Sequence, residues 1–200
     1  MMESTLLSLA AGMGLAAACG FRVFIPLLVM SLAARGGHLE LAETFTWIES
    51  TPALLAFGAA TTLEVLGYYV PWIDNLLDTM ATPSAVVAGT VAMGSQTLAF
   101  DPWLGWTLAA IGGGGAAGAV QGVTVVTRSL SSFATGGLGN PLVSTLEGAA
   151  AIGLTLLAVI MPLIAVFVLL VVMTLLLRMI LRRRGRGGGT DDGALAATAG

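Results

Sequence analysis

The chain has 200 residues, of which 56% are hydrophobic and only 10% charged, and its mean hydropathy is +0.94. Soluble domains carry about a quarter charged residues, so this composition excludes a water-soluble globular fold and makes lipid the solvent for most of the surface. The net charge of −3, with arginine supplying all eight basic residues, gives no footing for nucleic-acid binding, and a single cysteine, Cys19, excludes an internal disulfide.

A spanning helix needs about 20 apolar residues. The first apolar tract, 6–34, is long for one span and is interrupted by Gly20, Arg22 and Pro26. Its Leu15 to Gly20 stretch loosely resembles a lipoprotein cleavage site, but Glu3 and the lack of a basic residue before it argue against cleavage. Further tracts follow at 52–70, 83–100 and 103–126. The last, 142–181, is about twice the length of a span and holds Pro162 near its middle. It reads as two helices, 142–160 and 162–181, joined at Met161-Pro162, or as one long kinked helix. The first reading is favoured and brings the count to six spans; the second gives five. The expected fold class is therefore all-α: one polytopic membrane helix bundle over 1–182, with a disordered Gly-rich tail over 183–200.

Trp47, Trp72, Trp103 and Trp106 all fall at tract ends, where an indole ring sits best at the headgroup level. The basic run Arg178, Arg182, Arg183, Arg184 and Arg186 is expected to stay cytoplasmic, which with six spans puts the N-terminus on the same side. The loop 36–50, with Glu40, Glu43 and Glu49, then faces outward; Arg128 obeys the charge rule and Arg35 does not. Small residues recur every four positions at Gly12, Ala16 and Gly20 and at Gly114, Gly118 and Gly122. That spacing lets helix backbones approach closely in lipid, and the second stripe offers a face for a homodimer.

Charges inside the tracts demand a reason, because one at mid-bilayer costs about 3 kcal/mol even on lenient scales. Arg22 lies in the first tract, Glu64 deep in the second and Glu147 early in the fifth. Asp74, Asn75 and Asp78 follow the second span, with both aspartates on one face if that segment is helical. Such a pair can offer oxygen ligands to a hard cation, although a solvated interfacial turn is the better reading and any metal stays undetermined. Gln121, Thr124 and Arg128 share one helical face at i, i+3 and i+7. Either these groups neutralise one another between helices, or they line a polar route for a substrate, ion or proton. No Ser-His-Asp set, zinc spacing or phosphate loop is present, the only histidine, His38, lies in a loop, and the second aspartate-rich motif of polyprenyl-transferring enzymes is missing. Neither an enzyme nor a cofactor is expected.

The two halves echo one another. Cys19-Gly20-Phe21-Arg22-Val23 is similar to Gln121-Gly122-Val123-Thr124-Val125, a Gly-Gly pair follows each, and Thr62-Leu63-Glu64 repeats as Thr145-Leu146-Glu147. Three spans per half would make an inverted repeat, a transporter signature, with broken or re-entrant helices at Gly20–Pro26 and at the Gly136 to Pro141 stretch. The segments GFRVFIPL at 20–27, YVPWIDNLLDTMATP at 69–83 and GGLGNP at 136–141 resemble the bacterial membrane family called domain of unknown function 4126, over about residues 5 to 182. The resemblance implies a small multi-span inner-membrane protein and supplies no substrate. Arg22, Asp74, Asn75, Asp78, Asn140 and Glu147 fall on its motifs or beside them.

The functional expectation is a small transporter or channel-like carrier. Glu64 and Glu147 would bind a proton or cation, Arg22 would be their counter-charge or an anion contact, and Asp74 and Asp78 would gate the cytoplasmic mouth, with Asn75, Gln121, Arg128 and Asn140 completing the polar site. The alternatives are a protein that translocates a lipid or isoprenoid phosphate, marked by a lateral opening between helices, and a non-transporting scaffold, marked by charges paired in a dry core.

Overall fold

A computed structural model of the chain describes residues 2–97 and 100–187, with the side chains of residues 2, 71, 72, 74, 75, 176, 177 and 179–187 outside that description. Among the described residues the regular structure is entirely helical. The elements are α1 (Met2–Cys19), α2 (Phe24–Arg35), a 3-10 segment (Glu43–Glu49), α3 (Thr51–Gly67), α4 (Pro71–Thr97), α5 (Pro102–Thr107), a π segment (Leu108–Gly114), α6 (Gly115–Thr135), α7 (Asn140–Ile160) and α8 (Pro162–Gly187).

Helix starts follow local chemistry. The Ser50 hydroxyl accepts from the Ala53 N–H at 3.3 Å, and Pro52 takes a first-turn position where no N–H is missed. Asp101 caps α5 by accepting from Trp103 and Leu104, again with a proline, Pro102, in the first turn. The α6–α7 turn needs Gly136 (φ 63) and Gly137 (φ 90), left-handed positions that suit glycine.

The first tract breaks where Gly20, Arg22 and Pro26 led one to expect it. α1 stops at Cys19, and the N–H groups of Gly20, Phe21 and Arg22 bond back to Ala17 and Ala18 in tight turns before α2 begins. The tract 142–181 likewise divides at Met161, whose φ of −139 and ψ of 70 leave the helical region just before Pro162. Two boundaries differ from expectation. The helix expected to begin at Pro83 begins at Pro71 and carries Pro83 inside it, so Asp74, Asn75 and Asp78 are on a helix and not in an interfacial turn. The helix expected to end near residue 126 runs on to Thr135. Helical backbone also covers 183–187, and the remainder of the expected disordered tail, 188–200, lies outside the described residues.

α1 is the central element and packs on α4, α6, α7 and α8. Its small residues allow this: Ala16, Ala17, Ala18 and Cys19 are fully buried, and a Cβ added at Gly14 would lie 2.8 Å from the Ala158 Cβ. α4 crosses the π segment just as closely, a Cβ on Gly89 lying 2.7 Å from the Gly113 carbonyl oxygen. Gly114 and Gly118 are spent within the chain, facing Thr90 and Val86 of α4, whereas Gly122 meets open space. Arg35, the residue that runs against the charge rule, donates to the Glu49 carbonyl at 2.7 Å and ties α2 to the start of α3. The outer surface is apolar, with Leu55, Ile111, Leu156 and Phe167 all exposed. Among the described residues three stretches are long and apolar enough to cross a membrane, Leu76–Thr97, Pro102–Thr135 and Asn140–Ile160, and shorter apolar helices are present at Glu3–Cys19, Phe24–Arg35, Thr51–Gly67 and Pro162–Leu175.

Gly113→Ala is expected to destabilise the protein by about 1–3 kcal/mol, because a side chain there forces α4 off the π segment. Gly153→Ala, where an added Cβ meets nothing, should leave stability unchanged or slightly raised. Thermal melts of the two purified variants followed by tryptophan fluorescence separate these outcomes.

Candidate functional site

The break between α1 and α2 leaves the first N–H groups of α2 without helical partners, as every helix start does. Here the partner comes from another helix. The Glu64 carboxylate, near the end of α3, accepts from the Val23 N–H at 2.8 Å and from the Phe24 N–H at 3.1 Å, one oxygen each. An anion at a helix N-terminus is favoured both by these donors and by the helix dipole.

Arg22, within the break, points to α7. Its Nη2 donates to the Ser144 carbonyl at 2.9 Å and to the Ser144 hydroxyl, and it lies 3.9 Å from a Glu147 oxygen. Glu147 belongs more closely to Arg128 of α6. The Arg128 Nε reaches both Glu147 oxygens at 3.1 Å, its Nη2 donates to one of them, and its Nη1 donates to Asp78 of α4 at 2.8 Å. Arg22, Glu64, Arg128 and Glu147 are 3–6% exposed, so this is a buried ionic cluster. Both arginines also contact Tyr68, just past α3. The Arg22 Cζ is 3.7 Å from the ring centroid and the Arg128 Cζ 4.0 Å. Both guanidinium groups therefore lie against the Tyr68 ring. Each contact is a cation–π interaction of about 2 kcal/mol when desolvated.

Two cavities flank this stack. The larger, about 500 Å³, has Arg22, Glu64, Tyr68 and Gln121 at its polar end and an apolar wall of residues from α3 and α4, including Leu63, Leu66, Ile73 and Met80. Those four wall residues are also 44–71% exposed, so the cavity opens sideways through an apolar rim. α3 leans on α2 while α4 leans on α1 and the π segment, which separates the two walls. They meet at their hairpin, where a Cβ on Gly67 would strike Leu77 and Ile73. The second cavity, about 400 Å³, is more polar and is lined by Asp78, Arg128, Ser129, Ser132, Asn140, Val125 and Phe133.

Of the residues singled out from the sequence, Arg22, Glu64, Gln121, Arg128, Glu147 and Asp78 gather around one centre. Asn140 stands apart, exchanging hydrogen bonds with Ser132 at the far wall of the second cavity. The side chains of Asp74 and Asn75 lie outside the described residues. Among the described residues no group of three or more His, Cys, Asp or Glu side chains is placed to hold a metal. Sequence reasoning missed Tyr68 and Ser144. Tyr68 reads as an interfacial aromatic at a span end, and only its place one helical turn after Glu64 hinted at more.

The chain matches the family described as domain of unknown function (DUF4126) over residues 9–182. It belongs to that family. No curated protein and no solved structure matches it. The match takes in every member of the DUF4126 cluster described above, from Arg22 to Glu147.

Removing one partner of a buried ion pair strands the other. Arg128→Met is expected to cost about 3–5 kcal/mol of stability, whereas Arg128→Met with Glu147→Leu should cost less than either change alone. A double-mutant cycle on thermal unfolding checks this, and strict additivity would mean the pair is not coupled.

Proposed function

We propose that this DUF4126 protein is a multi-pass inner-membrane carrier of amphiphilic molecules, which it admits sideways from the bilayer between α3 and α4. In this reading the chain crosses six times and the arginine run after Leu177 keeps its C-terminus cytoplasmic. The single observation that carries the proposal is the larger cavity: an apolar, laterally open chamber that ends on a buried ionic cluster. A chamber with a hydrocarbon-like wall and a charged end matches a molecule with a tail and a polar head. An ion would need water at the mouth, and a scaffold would need no cavity.

A cation or proton route through Glu64 and Glu147 has less support. Both Glu64 oxygens accept from backbone N–H groups and both Glu147 oxygens from Arg128, so neither carboxylate has an oxygen clear of a protein donor. The echo between the two halves does not extend to their chemistry, since one glutamate caps a helix and the other binds an arginine.

Transfer of a fluorescent phospholipid across proteoliposome membranes, read by dithionite quenching, tests the reading. The wild-type protein should accelerate transfer over protein-free vesicles. Ala81→Trp, which fills the cavity, should slow it about tenfold, equivalent to about 1.4 kcal/mol, while Leu156→Trp on the outer surface should not. Equal rates for both variants would remove the cavity from the transport path.

A further inference from the structure

The charges of the cluster are matched unequally. Arg128 is held by Glu147 and Asp78, and Glu64 is bound by the start of α2. Arg22 is matched least closely: its two hydrogen-bond acceptors both belong to Ser144 and are neutral, and its one ion pair, to Glu147 at 3.9 Å, is to an oxygen shared with Arg128. Its Nε and Nη1 are buried with no hydrogen-bond partner among the described residues. Burying a guanidinium with unmatched donors is costly, so a group that pairs with it gains what the fold leaves unmade.

Two further side chains on the wall of the same cavity have unused capacity. Among the described residues neither the Gln121 carboxamide, itself 5% exposed, nor the Ser84 hydroxyl makes a hydrogen bond. Guanidinium, carboxamide and hydroxyl together offer several donors to one acceptor-rich head. Glu64 lines this cavity too, but its oxygens are turned onto the Val23 and Phe24 N–H groups, whose dipoles offset its charge.

We propose that the inner end of the larger cavity binds a phosphate-type anionic head group, with Arg22 as the charge partner and Gln121 and Ser84 as the orienting donors, while the apolar wall of α3 and α4 takes the attached chain. This rests on the carrier reading for the role of the cavity but not for the chemistry of its polar end. Guanidinium suits phosphate because its fork can meet two oxygens at once.

The test uses the full-length protein in a neutral maltoside detergent, with the thermal midpoint followed against added dodecyl phosphate, dodecyltrimethylammonium, dodecanol or inorganic phosphate. Dodecyl phosphate should raise the midpoint saturably, and dodecyltrimethylammonium and dodecanol should not. Gln121→Leu and Ser84→Ala should each shift half-saturation upward by about tenfold while leaving the ligand-free midpoint in place. Arg22→Lys, which keeps the charge and loses the fork, should weaken binding further. Because Arg22 variants can fail to fold, Gln121→Leu is the deciding change. Equal stabilisation by the cationic or neutral amphiphile, or an unshifted curve for Gln121→Leu, would overturn the proposal. Inorganic phosphate acting as well as dodecyl phosphate would keep the anion site and assign it to a free anion. Binding without transbilayer transfer supports this site and removes the carrier reading; transfer without any preference for phosphate removes this site and leaves the carrier reading standing.

Discussion

An ionised side chain inside an apolar bundle must find its opposite or its donors within the protein, and the arrangement of this molecule follows from that constraint. Arg22, Glu64, Arg128 and Glu147 come from the α1–α2 break and from α3, α6 and α7, and Asp78 adds α4. Five parts of the chain are thereby fixed in register by one cluster. Close packing of small residues brings the backbones together, as at Gly14 against Ala158, and the ionic cluster adds directional bonds between side chains. Well-packed apolar residues are often as stable as a buried ion pair or more so, which makes bundle stability alone a weak reason to hold four buried charges.

The break between α1 and α2 shows how one residue serves both the fold and the site. In a continuous helix the Val23 and Phe24 N–H groups would be bonded within the helix and closed to Glu64. Opening the helix at Gly20–Val23 frees two backbone N–H groups for that carboxylate, and the same opening lets Arg22 leave the helical path and reach Ser144. Glu64 is thus a helix cap supplied from a neighbouring helix. Because α2 is only 12 residues long, a cap of this kind matters more to it than to its longer neighbours.

Much of this centre was legible in the sequence, because the cost of a charge in lipid can be read from position alone. That criterion picked out Arg22, Glu64, Glu147, Gln121 and Arg128, and all five line or form the cluster. What it could not supply was partnership. Arg22 was expected to pair with a glutamate and does form an ion pair with Glu147 at 3.9 Å, but its hydrogen bonds go to Ser144, because how a carboxylate is shared depends on helices distant in sequence. Tyr68 was invisible for a related reason, since an aromatic at a span end has an ordinary explanation and contact with two cations needs three elements in place. The early start of α4 was missed because Pro83 reads as a helix start, and the run of Asp74, Asn75 and Asp78 reads as an interfacial turn. Once Asp78 has Arg128 to meet, a helical path through this polar stretch loses its penalty.

The stack of Arg22, Tyr68 and Arg128 also gives the two cavities different characters. On one side Arg128 is bound by two carboxylates and faces a chamber lined with serines and Asn140. On the other side Arg22 retains unmatched donors beside an apolar wall open to the exterior. The Tyr68 ring lies against both guanidinium groups, so the two sides share one aromatic contact.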